Sequence, residues 1–253
     1  MEHPIKIEEG IILAGGFGTR LQPVIHDLPK PMAPINGKPF LEYLLRFLKN
    51  QHCRHCVLSV GYKHESISAY FGNQYFGMEL DYAVETEPLG TGGGIKNGLH
   101  LISQNDFLLL NGDSFFDVDL AALSHFHFHK KSAITLSVKE VQQTDRYGTL
   151  DLEHGRVIRF NEKQKVEKAF INGGVYIVSK NVFNDANLGK KFSFEKDILE
   201  KKTTDLPIYA LPFDGYFIDI GIPSDYEKAQ MELDSVVRTT PSATLCVLCE
   251  DLL

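Results

Sequence analysis

From Gly10 to Lys139, short apolar runs alternate with segments of helical period, and this alternation constrains the fold more than any other feature. "GIILA", "CVLSV", "LDYAV", "DFLLLNGD" and "AITLSVK" read as five strands. Between them, "KPFLEYLLRFLKNQ" has Phe40, Leu44 and Leu48 recurring at i+4 beside Leu41 and Leu45, with Pro39 in the first turn of a helix. Shorter helices are predicted at Glu65–Phe71 and at Ile95–Ile102. A β-α-β-α-β order implies an α/β fold, a Rossmann-like and mainly parallel sheet with helices on both faces.

After Tyr147 the pattern changes. "GTLDLEHGRVIRF" predicts a hairpin turning at His154-Gly155, and "INGGVYIVS", "LPIYALPF" and "YFIDI" predict further strands. "SFEKDILEKK" reads as a helix, and "SDYEKAQMELDSV" as a closing helix capped by Ser224. These elements are expected to add an antiparallel part to the edge of the parallel sheet, making it mixed. No linker or repeat interrupts the chain, so 1–236 is expected to be a single domain with lobes at about 10–140 and 141–230. The segment 237–253, ending in "CVLCEDLL", has no clear place in the core and is expected to be disordered.

The chain has 253 residues and a net charge of −7, which argues against a nucleic-acid polymer as partner, because that calls for an extended basic face. No run is long and apolar enough for a bilayer, and "MEHPIKIEEG" is too polar and acidic for a secretory signal, so a cytoplasmic protein without a membrane partner is expected. The four cysteines form two C-x-x-C pairs, Cys53/Cys56 and Cys246/Cys249, too far apart in sequence for the usual compact zinc pattern. Oligomeric state is left open, a homo-oligomer included.

Ligands of an open parallel sheet bind at the carboxyl ends of its strands. The loop Gly15–Thr19 follows the first strand at that edge, and Asp113 ends the fourth strand there. The loop lacks the Gly-Lys-Ser/Thr of a Walker A motif. A dinucleotide fingerprint also fails: Pro29 and Pro31 keep the loop extended instead of leading it straight into a helix, and the second strand ends in "SVGY" with no acid. A long glycine loop carrying Arg20 and Lys30 fits better as a clamp closing on nucleotide phosphates.

These residues carry a resemblance. "LAGGFGTRLQPVIHDLPKPM", "EPLGTGGGIKNGL", "NGDSFFDVD", "RYGTL", "NEK", "INGGVYI" and "FIDIGIPSDYEKA" together resemble the sugar-1-phosphate nucleotidylyltransferases, in the family's order, across residues 10 to 230. The resemblance implies the nucleotide-diphospho-sugar transferase fold with a smaller sugar-binding lobe. It implies a reaction in which a sugar 1-phosphate oxygen attacks the α-phosphorus of a nucleoside triphosphate and pyrophosphate leaves. Arg20 and Lys30 match the family's phosphate-holding cations, and Asp113 and Asp219 its Mg2+ ligands. Leu13, Ala14, Gly15, Gly16, Gly18 and Thr19, with Gly90, Thr91 and Gly92, match the nucleotide pocket. Glu162 and Lys163 match the pair that holds sugar hydroxyls and the sugar 1-phosphate; Gly148, Asn172 and Gly173 match further sugar contacts. The finer pattern, including "FSFEKDIL", resembles guanylyltransferases of heptose 1-phosphates, with mannose 1-phosphate guanylyltransferases and uridylyltransferases as alternatives and a catalytically silent sugar-nucleotide regulator as a more distant one.

Glu85, at the carboxyl end of the third strand, offers only acceptors, which suits the adjacent N1–H and N2 amino donors of guanine. Glu87 is the alternative for that role, and a solvated acid before a proline turn is the plain one. On bare sequence Asp219 reads equally well as the cap of the next turn, while Asp117 and Asp119 read as acids starting a helix. His125 and His129 on a predicted helix, and "HCRHC" at His52–Cys56, have metal-ligand spacing, but no third ligand is evident for the first and the second falls at the amino end of its strand.

Overall fold

The structure, a computed structural model, describes residues 7–16, 21, 25, 28–144, 146–163 and 165–239. Gly18, Thr19, Arg20, Cys246 and Cys249 lie outside the described residues, as does most of the 237–253 segment.

In chain order the first half holds β1 (Glu9–Leu13), the short pair β2 (Pro34–Ile35) and β3 (Lys38–Pro39), α1 (Phe40–Asn50), β4 (His55–Val60), α2 (His64–Phe71), β5 (Gln74–Tyr75) and β6 (Met78–Val84). There follow α3 (Gly90–Gly98), β7 (Asp106–Asn111), β8 (Ser114–Phe116), α4 (Leu120–His129) and β9 (Ile134–Thr144). The second half adds β10 (Thr149–Glu153), β11 (Arg156–Asn161), β12 (Val166–Ser179), a π-helix (Phe194–Glu200), β13 (Ile208–Pro212), β14 (Phe217–Asp219) and α5 (Pro223–Thr239).

Among the described residues ten strands form one sheet, ordered β10-β11-β13-β9-β12-β7-β1-β4-β6-β5. β1 runs parallel to β4 and β7, and β4 parallel to β6, as the alternation predicts. The expectation fails for β9, which does not follow β7. β12 stands between them, antiparallel to both. Its side chains explain the insertion: Val175 and Ile177 enter the core on one face, Tyr176 and Val178 the core on the other. A strand apolar on both faces is driven to the interior of a sheet. Its sequence, "GVYIV", does not say which strands will cover its edges.

Helices cover both faces. α1, α2, α4 and α5 pack over the core that holds Ile12, Leu58 and Leu110, while α3 and the π-helix pack over Ile11, Val57 and Leu109. α1 buries the predicted stripe Phe40, Leu41, Leu44, Leu45 and Leu48, with Pro39 as its N-cap and not within its first turn. The hairpin β10–β11 turns at His154 and Gly155, both at positive φ (49° and 78°), as a two-residue turn between twisted strands requires.

Three helices differ from expectation. α3 starts at Gly90, five residues early, and gives way to a 3-10 turn at Leu99–Leu101. The Phe194–Glu200 helix winds as a π-helix, whose wider turn sets Phe194, Ile198 and Leu199 on one buried side. α5 begins at Pro223, so Ser224 lies inside its first turn and is not its cap. Asp119 caps α4 by accepting from the N–H groups of Ala121 (2.9 Å) and Ala122 (3.0 Å), as read. Asp117 does not start that helix; it is buried just before it, and burial pushes its carboxyl up.

Candidate active site

β1, β4, β6 and β7 are parallel, so their carboxyl ends converge on one edge. A cavity of about 570 Å3 opens there. Each strand sends its following residues into the wall: Leu13, Gly15 and Gly16 after β1, Gly61 and Tyr62 after β4, Glu85 to Pro88 after β6, and Asn111 to Asp113 at the end of β7. Lys30, Gly90, Thr91 and Glu195 close it. Of the predicted nucleotide residues, Leu13, Gly15, Gly16, Lys30, Glu85, Gly90, Thr91 and Asp113 are thus brought together. Ala14 lies buried behind the wall, its N–H bonded to the Ser59 carbonyl at 2.8 Å.

One end of the cavity is ionic. Lys30 is 7% exposed; its Nζ lies 2.7 Å from Asp113 Oδ2 and 3.8 Å from Asp219 Oδ1. Pro29 is extended, but the chain then tightens into a 3-10 turn over Lys30–Met32, so Pro31 does not prolong the extended loop as expected. The two acids are 106 positions apart in sequence and meet because β14 pairs with β8, setting Asp219 opposite Ser114, the neighbour of Asp113. The Ile220 N–H bond to the Asp113 carbonyl, at 3.0 Å, locks that approach. A buried ammonium between two carboxylates offsets their repulsion, and removal of any one partner leaves charge unpaired in a partly dry site. Asp219 also accepts from the Gly221 N–H at 2.7 Å, so the turn-capping role open to it on bare sequence is realised.

The donor chemistry fits magnesium. Two carboxylates are hard oxygen ligands, and Mg2+ takes few protein ligands, filling its other positions with water and phosphate oxygens. Among the described residues no group of three or more His, Cys, Asp or Glu could hold a metal.

The glycines of α3 do two different jobs. A Cβ on Gly94 would fall 2.6 Å from Glu85 Oε1, so its absence lets that carboxylate tuck against the helix. A Cβ on Gly92 would fall 2.2 Å from the Phe192 ring; Gly92 serves packing and does not line the cavity. Glu85 Oε2 accepts from the Leu89 N–H at 3.0 Å, while Oε1, among the described residues, receives only the Ser59 hydroxyl at 3.4 Å. Glu87 also reaches the wall, but it is paired with Lys190, whose ammonium lowers its carboxyl.

The residues matched to sugar binding do not line this cavity. Gly148, Glu162 and Lys163 are exposed in the turns flanking β10 and β11. Asn172 sits at a register shift in β12, donating to the Tyr176 hydroxyl (2.7 Å) and accepting from the Gly174 N–H (3.0 Å). A Cβ on Gly173 would meet the Phe116 ring at 2.2 Å, so that glycine allows close packing.

Sequence reasoning missed Glu195 and Tyr62 on the cavity wall; "FSFEKDIL" marked a helix, and nothing local signals that its acid meets Thr91. The histidine patterns hold no metal cluster among the described residues: His125 and His129 stack at 6.2 Å, and His55 lies between Glu9 (3.2 Å) and Asp81 (3.0 Å) at the amino end of β4. Cys53 and Cys56 are buried beside it, and burial pushes the Cys53 thiol up to about 12.

Four parallel strands of a mixed sheet, with a glycine-lined cavity at their carboxyl ends and a lysine held between two carboxylates, are the make-up of an α/β enzyme suited to phosphate-bearing substrates. The chain belongs to the nucleotidyl transferase family, whose model matches residues 9–236. It is 47% identical, over 90% of its own length and 100% of the relative, to the D-glycero-alpha-D-manno-heptose 1-phosphate guanylyltransferase of Aneurinibacillus thermoaerophilus. The enzyme of the same description from Campylobacter jejuni is also 47% identical, over 86% of this chain and 96% of the relative. The crystal structure of HddC from Yersinia pseudotuberculosis complexed with GMP-PN superposes with a TM-score of 0.80 at 39% identity, covering 89% of this chain and 99% of that one.

Proposed function

We propose that this protein transfers the GMP moiety of GTP to D-glycero-D-manno-heptose 1-phosphate, releasing pyrophosphate and forming GDP-heptose in a Mg2+-dependent reaction. The observation that carries the reading is Lys30, buried against Asp113 and Asp219 at the end of a glycine-lined cavity. The identity to two heptose 1-phosphate guanylyltransferases supports the choice of substrates.

In this reading Leu13 and Gly15, with Gly90 and Thr91 at the start of α3, bound the base, while Ala14 and Gly92 back that wall from behind. Glu85 accepts from guanine N1–H and N2, its Oε1 being the freer oxygen. Gly16, Gly18, Thr19 and Arg20 contribute contacts to the triphosphate. Lys30 turns from Asp113 to the phosphates when they enter, and with Arg20 meets the charge that develops on the departing pyrophosphate. Asp113 and Asp219 would hold Mg2+, which when bound neutralises charge on the α-phosphate. Glu162 accepts from sugar hydroxyls, Lys163 pairs with the sugar 1-phosphate, and Gly148, Asn172 and Gly173 complete the sugar side. The bond from the sugar phosphate oxygen to the α-phosphorus forms as the bond to the bridging oxygen breaks, so positioning and charge neutralisation suffice without a covalent intermediate.

Two small-molecule substrates and a cytoplasmic setting go with this reading; no helix among the described residues is long and apolar enough to cross a membrane. The test is a matrix of GTP, UTP and dTTP against heptose, mannose and glucose 1-phosphates, read by pyrophosphate release. The GTP–heptose pair is expected to give the highest kcat/KM. A preference for UTP or for another sugar phosphate transfers the assignment to that pair, and release from no pair overturns it. Glu85→Gln is expected to lower the GTP/UTP preference about tenfold; an unchanged preference removes Glu85 from base recognition.

A further inference from the structure

Glu195 stands on the cavity wall at the start of the π-helix, and its carboxylate is held in an unusual way. Oε2 accepts two hydroxyl protons, from Thr91 Oγ1 at 2.6 Å and from Ser193 Oγ at 2.9 Å. Each hydroxyl is oriented in turn by a backbone donor: Thr91 Oγ1 accepts from the Phe194 N–H at 2.9 Å, and Ser193 Oγ from the Lys196 N–H at 3.1 Å. A hydroxyl has one proton, so both hydroxyls must spend theirs on Oε2. Oε1 of the same carboxylate takes no hydrogen bond from any described residue.

The frame around it is stiff. The Phe192 N–H bonds to the Leu89 carbonyl at 3.0 Å, and the Phe192 carbonyl accepts from Gly92 (3.0 Å) and Gly93 (3.3 Å), which staples the loop before Glu195 to the first turn of α3. An open carboxylate oxygen on a cavity wall repels phosphate oxygens and accepts from O–H or N–H groups. In the transferase reading the phosphates have Lys30, between Asp113 and Asp219, and the base has Glu85. Glu195 lies close enough to the buried Tyr176 phenol for its charge, after burial, to help raise that group, and Tyr176 is the partner of Asn172 on β12. Hydroxyl groups are the donors left for Oε1 to meet.

We propose that Glu195 Oε1 accepts a hydrogen bond from a hydroxyl of the bound substrate, with Thr91 and Ser193 as positioning residues that fix the carboxylate. The proposal rests on the transferase reading of the cavity. The hydroxyl belongs to the sugar 1-phosphate or to the ribose of the triphosphate, and deoxy substrates tell the two apart.

The experiment combines Glu195→Gln with substrates lacking single hydroxyls: 2′-deoxy-GTP, 3′-deoxy-GTP and monodeoxy sugar 1-phosphates. Wild-type protein is expected to lose tenfold or more in kcat/KM on one of these analogues, and Glu195→Gln a similar factor on the parent substrate. The variant is then expected to lose less than twofold further on that same analogue, because the contact is already gone. A deoxy-GTP giving this pattern assigns the ribose, and a deoxy sugar phosphate assigns the sugar. Equal penalties in wild type and variant for every analogue overturn the proposal. Thr91→Val should reproduce part of the loss on the same substrate, with Thr91→Ser restoring it; a Thr91→Ser protein as impaired as Thr91→Val removes the positioning role. Calorimetric titration of each substrate and analogue reads the contact without turnover, so a protein that shows the binding pattern but releases no pyrophosphate overturns the transferase reading alone.

Discussion

Replacing Gly112 by alanine puts a methyl carbon against the main chain of the neighbouring strand, and its effect can be worked from the geometry. The added Cβ would lie 2.2 Å from the Leu13 carbonyl oxygen, where contacts under 3.0 Å essentially never occur, so something must move by at least 0.8 Å. The Leu13 carbonyl cannot turn away, because β1 is registered between β4 and β7, Leu13 opposite both Ser59 and Asn111, and that oxygen already accepts from the Gly112 N–H at 3.0 Å. The turn carrying Asp113 must therefore move outward, taking its carboxylate away from Lys30. Overpacking of this kind costs about 1–3 kcal/mol, a few degrees in Tm for a chain of this size. A displacement near 1 Å at a reacting centre is worth about a hundredfold in rate. Pyrophosphate release and thermal unfolding, measured together, are expected to show kcat down about a hundredfold with the fold retained. Gly189→Ala, where nothing lies within 4 Å of the new Cβ, should change neither. Wild-type kcat in Gly112→Ala would refute the argument that this close backbone approach sets Asp113 in place.

Asp113→Asn and Asp219→Asn should each lower kcat by about a hundredfold or more at saturating Mg2+, since a lost ligand is worth several kcal/mol in the transition state; near wild-type turnover in either removes that residue from the metal. Glu9 is buried enough to be pushed up, but donors from Gln104, Ser103 and His55 outweigh this and hold its carboxyl below the usual value. The unfolded chain then takes up the proton first, so the stabilisation is complete above the ordinary glutamate range and is lost as pH falls through the lower native value. Urea midpoints carried from neutral into acid pH should therefore fall less steeply for Glu9→Gln, and parallel curves would show that Glu9 contributes no linkage. Cys53 and Cys56, buried with raised thiol pKa values, should escape iodoacetamide in the native protein and react after unfolding, as read by peptide mapping; native labelling at either would show that the amino edge of β4 opens.

What was legible in the chain followed how locally each feature is encoded. β1, β4, β6 and β7 are short apolar runs bounded by turn residues, and their parallel order alone sends Gly15, Glu85 and Asp113 to one edge. β12 was legible as a strand but not as an interior one, because which strands flank it is decided by pairings far along the chain. Residues 90 to 94 fall before the helix predicted at Ile95–Ile102, and glycine weakens helices by about 1 kcal/mol each. Tertiary contact overrode that preference, as Phe192 and Glu85 press where side chains would otherwise stand. The Lys30–Asp113 pair spans 83 residues and Thr91–Glu195 spans 104, so neither leaves a local signature. Asp113, Asp219 and Lys30 are nonetheless legible in the chain, the first from its strand end and the resemblance, the second from the resemblance alone and the third from its loop and the resemblance. The sugar-side residues came only from resemblance, and their side chains stand outside the cavity or are engaged within the fold.

The central claim is that the cavity joins two substrates by displacing pyrophosphate, and the most direct measurement is the stoichiometry of that exchange. Protein, GTP, D-glycero-D-manno-heptose 1-phosphate and Mg2+ are incubated together, and product mass and phosphate species are followed in parallel. The account predicts one pyrophosphate for each GDP-heptose formed, with no release when the heptose phosphate is omitted. Orthophosphate as the product, pyrophosphate released without the acceptor, or no species of GDP-heptose mass would contradict it.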